Sequence, residues 1–199
     1  LIADEVVTGF GRSGSMFGSR LWGVKPDIMC LAKGITSGYI PLGATVVNRR
    51  IEAAFEKNAN FTGAIMHGYT YSGHPVACAA ALACLDIVVK EDLPANAAKM
   101  GDYMLDKLRP FVERFDTVGE VRGQGLMLAL DLVADKSTRE PIDPMSGYAN
   151  QVAQIARDNG VMVRPVGTKI ILSPPLVIQQ PQVDAIVDAL AEGLRKAQR

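Results

Sequence analysis

The sequence predicts an α/β fold followed by a smaller α+β unit, and three observations support this. Two short apolar runs rich in β-branched residues, LIADEVV at 1–7 and DIMCLAKGI at 27–35, are separated by Gly- and Pro-containing sequence, as buried strands are. Helical and then strand-like segments follow them. The chain has 199 residues, 48% of them hydrophobic, which is ample for a buried core.

The next elements can be assigned in order along the chain. GATVVN at 43–48 predicts a third strand, bounded by Pro41 and by a pair of arginines. A helix is predicted from Pro75, because proline suits a first helical turn and the residues after it are small and alanine-rich. Apolar residues three or four apart predict one helical face from Asn96 to Phe115, with a kink at Pro110.

The C-terminal half predicts an α+β unit. VGEVRGQGLMLALDLV at 118–133 and VMVRPVGTKIILSPP at 161–175 are strand-like, and the second is a hairpin that turns at 166–168. Helices are predicted at 149–159 and 182–197. Residue 1 is a leucine within the first strand-like run, so we expect the chain to begin inside a longer protein.

Composition excludes several classes of protein. The 21 basic and 21 acidic residues cancel, which argues against nucleic acid or an anionic membrane as partner, and no apolar run approaches the ~20 residues of a membrane helix. Three cysteines without paired spacing and two histidines argue against a disulfide framework and a metal site. A cytoplasmic location is the simplest expectation, with Cys30, Cys78 and Cys84 as inert core residues.

The glycines from Gly9 to Gly14 match the pattern G-x-G-x-x-G, which is a weak dinucleotide-binding signal. That fingerprint requires a long helix directly after the glycines. SMFGSRLWGVKP at 15–26 carries two glycines and a proline and predicts no such helix, and Asp27 precedes the next strand where an acid should end it. The sequence that follows the glycines therefore argues against a nicotinamide or flavin site.

Asp4 and Lys33 form a more informative pair. If the first two strands are parallel neighbours, both residues lie near the carboxyl edge of one sheet, where α/β folds bind ligands. We expect a buried carboxylate and a buried amine there. They suit pyridoxal phosphate, which needs an amine for its Schiff base and a carboxylate against its pyridine nitrogen. A structural salt bridge between the two residues is the alternative.

Three motifs carry a resemblance to a known family: DEVVTGFGR, PDIMCLAKGITSGYIPLGA and HGYTYSGHPVACAAA. In this order and at these separations they resemble the C-terminal half of a class III aminotransferase, a pyridoxal-phosphate enzyme of fold type I. The resemblance implies that residues 1–90 are part of the cofactor-binding large domain and 91–199 a linker helix and small domain. It also implies that Lys33 forms the Schiff base, Asp4 contacts the pyridine nitrogen and Val6 packs on the ring.

The resemblance also implies a homodimer with shared active sites. Thr70 matches the threonine that binds the cofactor phosphate in the neighbouring subunit, and Tyr69 is expected to contact the cofactor beside it. From the residues alone, this Gly- and Ser-flanked segment before a helix is a plausible phosphate cradle or only a turn. His67 and His74 are interpreted as structural, because Lys33 can itself carry the proton that moves during amino transfer.

Arg164 decides the subgroup. The run around it resembles the omega-amino acid and amine:pyruvate transaminases, whose mobile arginine lies before a glycine turn; the alternative is an exposed hairpin arginine. Ornithine- and 4-aminobutyrate-type enzymes carry their arginine nearer 170–172, where this chain is apolar, so pyruvate is favoured over 2-oxoglutarate as acceptor. Another class III aminotransferase and an aminomutase or decarboxylase of the same fold remain open as alternatives. A non-catalytic fragment is a further alternative, because the family's N-terminal half is absent here.

Overall fold

The computed structural model describes residues 1–57 and 67–198. The chain forms two compact units, Leu1–Pro94 and Ala95–Arg199. In the described residues of the first unit, the short apolar runs form a mixed sheet in the order β1-β2-β3. Its strands are β1 (Ile2–Asp4), β2 (Ile28–Leu31) and β3 (Ala44–Val47).

The pairing within this sheet fixes which strand ends lie together. β1 and β2 are parallel, with Ile2 opposite Ile28 and Asp4 opposite Cys30, which confirms the predicted arrangement. β3 runs antiparallel to β2. Because parallel strands end at the same edge, the residues after Asp4 and after Leu31 leave the sheet on one side.

Helices complete the first unit: α1 (Gly18–Leu21), α2 (Arg49–Lys57) and α3 (Pro75–Lys90). α3 begins at the predicted proline and packs against a short 3-10 turn at Lys33–Ile35. Its residue Ala81 joins a small core with Phe10, Leu31 and Ile35. Cys78 is exposed, and Cys30 and Cys84 are half-buried, so the expectation of three core cysteines was wrong. α3 is apolar around its whole circumference, and its sequence therefore does not indicate which face is buried.

The second unit has a larger core between a sheet and its helices. The described strands lie in the order β4-β5-β8-β7, all antiparallel, with β6 beside β5. They are β4 (Val118–Gln124), β5 (Met127–Asp135), β6 (Glu140–Pro141), β7 (Arg164–Val166) and β8 (Lys169–Leu172). Every second residue of β5 is buried, as expected when one face of a sheet covers a core: Leu128, Leu130 and Leu132.

The helices of this unit are α4 (Leu93–Leu108), α5 (Phe111–Arg114), α6 (Tyr148–Asp158) and α7 (Gln180–Lys196). The predicted helix at 96–115 is two helices, because the chain turns at Arg109 and Pro110. Proline has no amide hydrogen to continue the helical pattern and disfavours helical geometry in the residue before it. The predicted kink is therefore a break.

α4 meets the β4–β5 turn through two glycines. A Cβ placed on Gly101 would overlap the carbonyl oxygen of Gly125, so the helix and turn backbones touch with no side chain between them. Gly125 has φ +56°, a turn conformation that favours glycine. Both positions therefore require glycine, the first for space and the second for its backbone.

Candidate active site

Asp4 and Lys33 leave neighbouring strands at the same edge of the sheet. Asp4 is the last residue of β1, and Lys33 follows β2 by two residues. Both side chains are exposed, so the expectation that they are buried was wrong. Among the described residues no ion pair joins them, although a salt bridge was the structural alternative. The carboxylate and the amine are therefore both open to a ligand at this edge.

A local hydrogen bond orients Asp4. Its Oδ1 accepts from the amide of Val6 at 3.0 Å, which closes a turn directly after β1. Val6 is half-buried beside it. The turn therefore fixes the orientation of the Asp4 carboxylate directly after β1.

Glu5 is a residue whose role sequence reasoning missed. Its side chain is buried, and its carboxylate accepts from the amides of Gly18 at 2.8 Å and Ser19 at 2.6 Å, and from the Thr8 hydroxyl. Burial acts to raise the pKa of Glu5, but these hydrogen bonds outweigh it and the pKa lies below its ordinary value. Glu5 therefore anchors the start of α1, while its neighbour Asp4 faces solvent. Nothing in the sequence distinguishes the two acids except their alternation along the strand.

The glycine-rich segment after β1 forms turns. Phe10, Gly11 and Gly14 have φ of +62°, +106° and +86°, and the helix that follows, α1, is only four residues long. A dinucleotide-binding turn needs a long helix whose N-terminus faces the pyrophosphate. As predicted, no long helix directly follows these glycines.

Lys33 has an uncommon backbone conformation. Its φ is +46°, a backbone angle that residues other than Gly and Asn rarely adopt. Such a conformation costs about 1–3 kcal/mol of folding free energy. It begins the 3-10 turn Lys33–Ile35, whose hydrogen bonds are Ile35 N to Ala32 O at 3.2 Å and Thr36 N to Lys33 O at 3.3 Å. Strained backbone of this kind is concentrated at functional sites.

The segment with Tyr69 and Thr70 is an open turn before α3. The Tyr69 amide donates to the Ser72 hydroxyl at 2.9 Å, and the Ser72 amide donates to the Tyr69 carbonyl at 2.9 Å. Both Tyr69 and Thr70 are exposed, and Gly73 takes φ +68°. The hydroxyl and amide of Thr70 are thus available to an anion, as its predicted role requires.

Arg164 lies in the second unit, at the start of the predicted hairpin, which is confirmed by the pairing of Val166 with Lys169. Its side chain is exposed and lines a groove of about 470 Å³ together with Arg157 and Met162. Among the described residues neither arginine forms an ion pair, whereas Arg122 contacts both Glu120 and Asp131. Arg164 therefore retains a free guanidinium fork for a carboxylate.

The residues of the first unit suit pyridoxal phosphate. That cofactor needs a lysine for covalent attachment, a carboxylate beside its pyridine nitrogen and donors for its phosphate. Asp4 and Lys33 lie at one sheet edge without neutralising each other, and the exposed Thr70 turn offers a hydroxyl and an amide. In the described ranges, no helix has the length and apolar character to cross a membrane, and no acid, histidine and cysteine group is arranged to hold a metal.

Comparisons with known proteins agree with this chemistry. The sequence profile of the class-III aminotransferases matches residues 1–194. An uncharacterized aminotransferase of Sinorhizobium fredii is 48% identical over 194 residues, and the match covers 96% of this chain and 41% of the relative. A probable gamma-aminobutyrate transaminase 2, mitochondrial, of Oryza sativa is 40% identical over 98% of this chain and 39% of its own length.

A solved structure is more similar still. The amine transaminase of an uncultivated Pseudomonas species, in its PLP-bound form, superposes with a TM-score of 0.97 at 63% identity, covering 100% of this chain and 45% of its own. The chain thus belongs to the class III aminotransferase family, whose members use pyridoxal phosphate, and has the fold type I architecture. It spans less than half the length of these relatives.

Proposed function

We propose that the full-length protein is a transaminase that transfers an amino group from an omega-amino acid or an amine to pyruvate. The observation that carries the proposal is the exposed, unbridged pair of Asp4 and Lys33 at one sheet edge. Bound pyridoxal phosphate supplies the electron sink for the reaction. The family match supports the reaction class, and the likeness to an amine transaminase supports the subgroup.

Each predicted residue has a defined task in this proposal. Lys33 would hold the cofactor covalently, and its amine would carry the proton that moves during amino transfer. Asp4 would accept a hydrogen bond from the protonated pyridine nitrogen, and Val6 would pack on one ring face. Thr70 binds the phosphate of the cofactor held by a second protomer, and Tyr69 contacts the same cofactor, so the proposal includes a homodimer. The free cysteines agree with the proposed cytoplasmic location, since free thiols persist in reducing compartments.

The lysine assignment is tested by replacing Lys33 with alanine in the full-length protein. We expect turnover to fall by several orders of magnitude, because the covalent attachment and the proton carrier are lost together. Lys25→Ala is a matched control, since Lys25 is also exposed but precedes β2, at its opposite end. Borohydride reduction followed by peptide mass mapping locates the attached cofactor, and attachment at another lysine would overturn the assignment.

Asp4→Asn is the companion test of the cofactor site. Asparagine keeps the shape and can no longer favour a protonated pyridine nitrogen. We expect the cofactor to remain partly bound while turnover falls by orders of magnitude. Unchanged turnover in this variant would remove Asp4 from the site.

The acceptor is tested through Arg164. Arg164→Ala should weaken the half-reaction with pyruvate or alanine by roughly 2–4 kcal/mol, because two charge-assisted hydrogen bonds to a carboxylate are lost. The half-reaction with a neutral monoamine should change little. Arg157→Ala, which removes an equal charge from the same groove, is the matched control. Equal losses with both kinds of substrate would show that Arg164 is structural.

The alternatives differ in what they produce. Transfer to added pyruvate yields alanine, whereas an aminomutase or a decarboxylase of the same fold yields none. A non-catalytic protein would bind no cofactor at Lys33 and would release no alanine. Alanine formation from each of several amines, with pyruvate and 2-oxoglutarate compared as acceptors, separates these cases.

A further inference from the structure

The aromatic side chain of Phe10 packs between the turn after β1 and the backbone next to Lys33. Phe10 is only 4% exposed although it belongs to a turn, and its φ is +62°. Its amide donates to the Met16 carbonyl at 2.7 Å. A bulky residue keeps such a conformation only where its surroundings determine it. The turn therefore fixes the position of the Phe10 ring.

The Phe10 side chain packs directly on Gly34, the residue after Lys33. A Cβ on Gly34 would lie 3.1 Å from Phe10 Cβ, 3.2 Å from its Cδ2 and 3.5 Å from the Gly9 carbonyl oxygen. Gly34 is not among the glycines with positive φ, so space and not conformation requires a glycine here. The backbone that leaves Lys33 thus has no room to move toward the turn.

The residues on either side of Lys33 are held by the same cluster. Leu31 and Ile35 are both 8% exposed and form the small core of this unit with Phe10 and Ala81. Lys33 itself stays exposed between them with φ +46°. In the described structure its carbonyl accepts a hydrogen bond from the Thr36 amide at 3.3 Å, and the packing of its neighbours around Phe10 is the further restraint on its uncommon backbone.

The turn that carries Phe10 is equally tight on the β1 side. The Gly9 amide donates to the Glu5 carbonyl at 2.8 Å, and a Cβ on Gly9 would lie only 2.7 Å from that oxygen. Asp4 immediately precedes Glu5. A short, rigid path therefore runs from the end of β1 through Gly9 and Phe10 to Gly34 and Lys33.

We propose that Phe10 is a positioning residue for Lys33: it holds the Lys33–Gly34 backbone so that the amine meets the cofactor aldehyde at the sheet edge shared with Asp4. This inference rests on the proposed function. Phe10 touches no reacting atom. Loss of its ring would release the backbone of Lys33 and would remove no reacting group from the site.

The test compares Phe10→Ala, Phe10→Leu and the matched control Phe17→Ala in the full-length protein. Phe17 has its ring centroid 5.6 Å from that of Phe10 and belongs to the same cluster, so its loss also removes apolar packing. Two readouts are used besides turnover. One is the pH midpoint of the visible absorbance of the lysine-bound cofactor, and the other is the rate of reductive methylation of Lys33 in the cofactor-free protein.

Phe10→Ala should lower kcat about 10-fold with KM for the amine little changed, because a misplaced reacting group loses rate without losing substrate contacts. It should also shift the pH midpoint and change the methylation rate of Lys33 several-fold. Phe10→Leu, which keeps most of the volume, should restore both readouts. Phe17→Ala should lower the unfolding temperature and leave both readouts as in the wild type.

Gly34→Ala keeps the proposal testable if Phe10→Ala does not fold. Its methyl group presses on the same contact, so we expect the same changes in the Lys33 readouts. Changes in unfolding temperature alone, with both Lys33 readouts unmoved, would overturn the positioning role. If the wild type carries no cofactor on Lys33, the proposed function fails, while the methylation rates of the cofactor-free protein still decide the role of Phe10.

Discussion

The two units differ in how they bury apolar surface. In the second unit, residues from helices and strands form one large core that includes Met104, Leu130 and Leu190, each 0% exposed. Among the described residues of the first unit, the central cluster has four buried members, and large apolar side chains such as Leu1, Ile2 and Leu82 are more than 60% exposed. The proposed cofactor residues lie in the unit with the smaller core, and the proposed acceptor arginine lies in the unit with the larger one.

The unit with the larger core and the unit with the proposed cofactor residues are thus different parts of the chain. A unit with its own core can hold its shape without further contacts, whereas a unit with a small core depends on other surfaces to fix its geometry. The rigid features of the first unit are accordingly local: the Glu5 hydrogen bonds, the Gly9 turn and the contact of Phe10 with Gly34. The backbone around Asp4 and Lys33 is thus held in place by hydrogen bonds and close backbone contacts more than by a large apolar core.

The two units should behave most differently when they are expressed separately. Residues 93–198, which keep α4 intact, should be monomeric and unfold in one cooperative transition. Residues 1–94 should show no cooperative transition and should self-associate, because much of their apolar surface is exposed. Calorimetry and sedimentation measure both properties. Cooperative unfolding of the shorter first segment as a monomer would contradict the comparison.

Two leucine truncations in the intact protein should have very different effects on its stability. Leu130→Ala removes a side chain that is 0% exposed and should lower the free energy of unfolding by about 3 kcal/mol, through lost burial and the cavity left behind. Leu82→Ala removes one that is 69% exposed and should change it by less than about 0.5 kcal/mol. Denaturant titration gives both values. A loss at Leu82 as large as that at Leu130 would show that other surfaces cover α3 tightly.

The smallest expected difference between the two units is in how their carboxylates make stability depend on pH. The folded protein lowers the pKa of Glu5 below its ordinary value of 4.5, so this carboxylate stabilises the fold above that value and the stabilisation is lost as pH falls through the lowered pKa. Glu5→Gln should therefore flatten the decline in unfolding temperature between about pH 5 and 3.

A control for Glu5 lies in the second unit. Hydrogen bonds from Tyr103 and Lys107 lower the pKa of Asp184, but 45% of this side chain is exposed, so solvent screens its ion pair with Lys107. Asp184→Asn should flatten the same curve much less. A larger effect at Asp184 than at Glu5 would mean that the buried carboxylate is not what makes the first unit sensitive to acid.

The sequence allowed the parallel strands and the C-terminal hairpin to be predicted, because their apolar patterns and glycine turn are local signals. The exposure of Asp4 and Lys33 was predicted wrongly. Both follow apolar runs, and such runs do not indicate how far the strand ends project beyond the sheet. The role of Glu5 was missed because its partners Gly18 and Ser19 lie more than ten residues away. Contacts of that range depend on the fold, and a single sequence does not display them.

The contact between Gly101 and Gly125 limits how this protein can diverge. Any side chain at Gly101 would displace the β4–β5 turn, so its replacement is tolerated only after the turn has changed length or direction. Gly125 in turn resists replacement because of its positive φ. A substitution at one of these positions is therefore tolerated only together with a change at the other. Laboratory evolution of substrate range should accept substitutions in the hairpin of Arg164, the proposed acceptor residue, before it accepts any at Gly101 or Gly125.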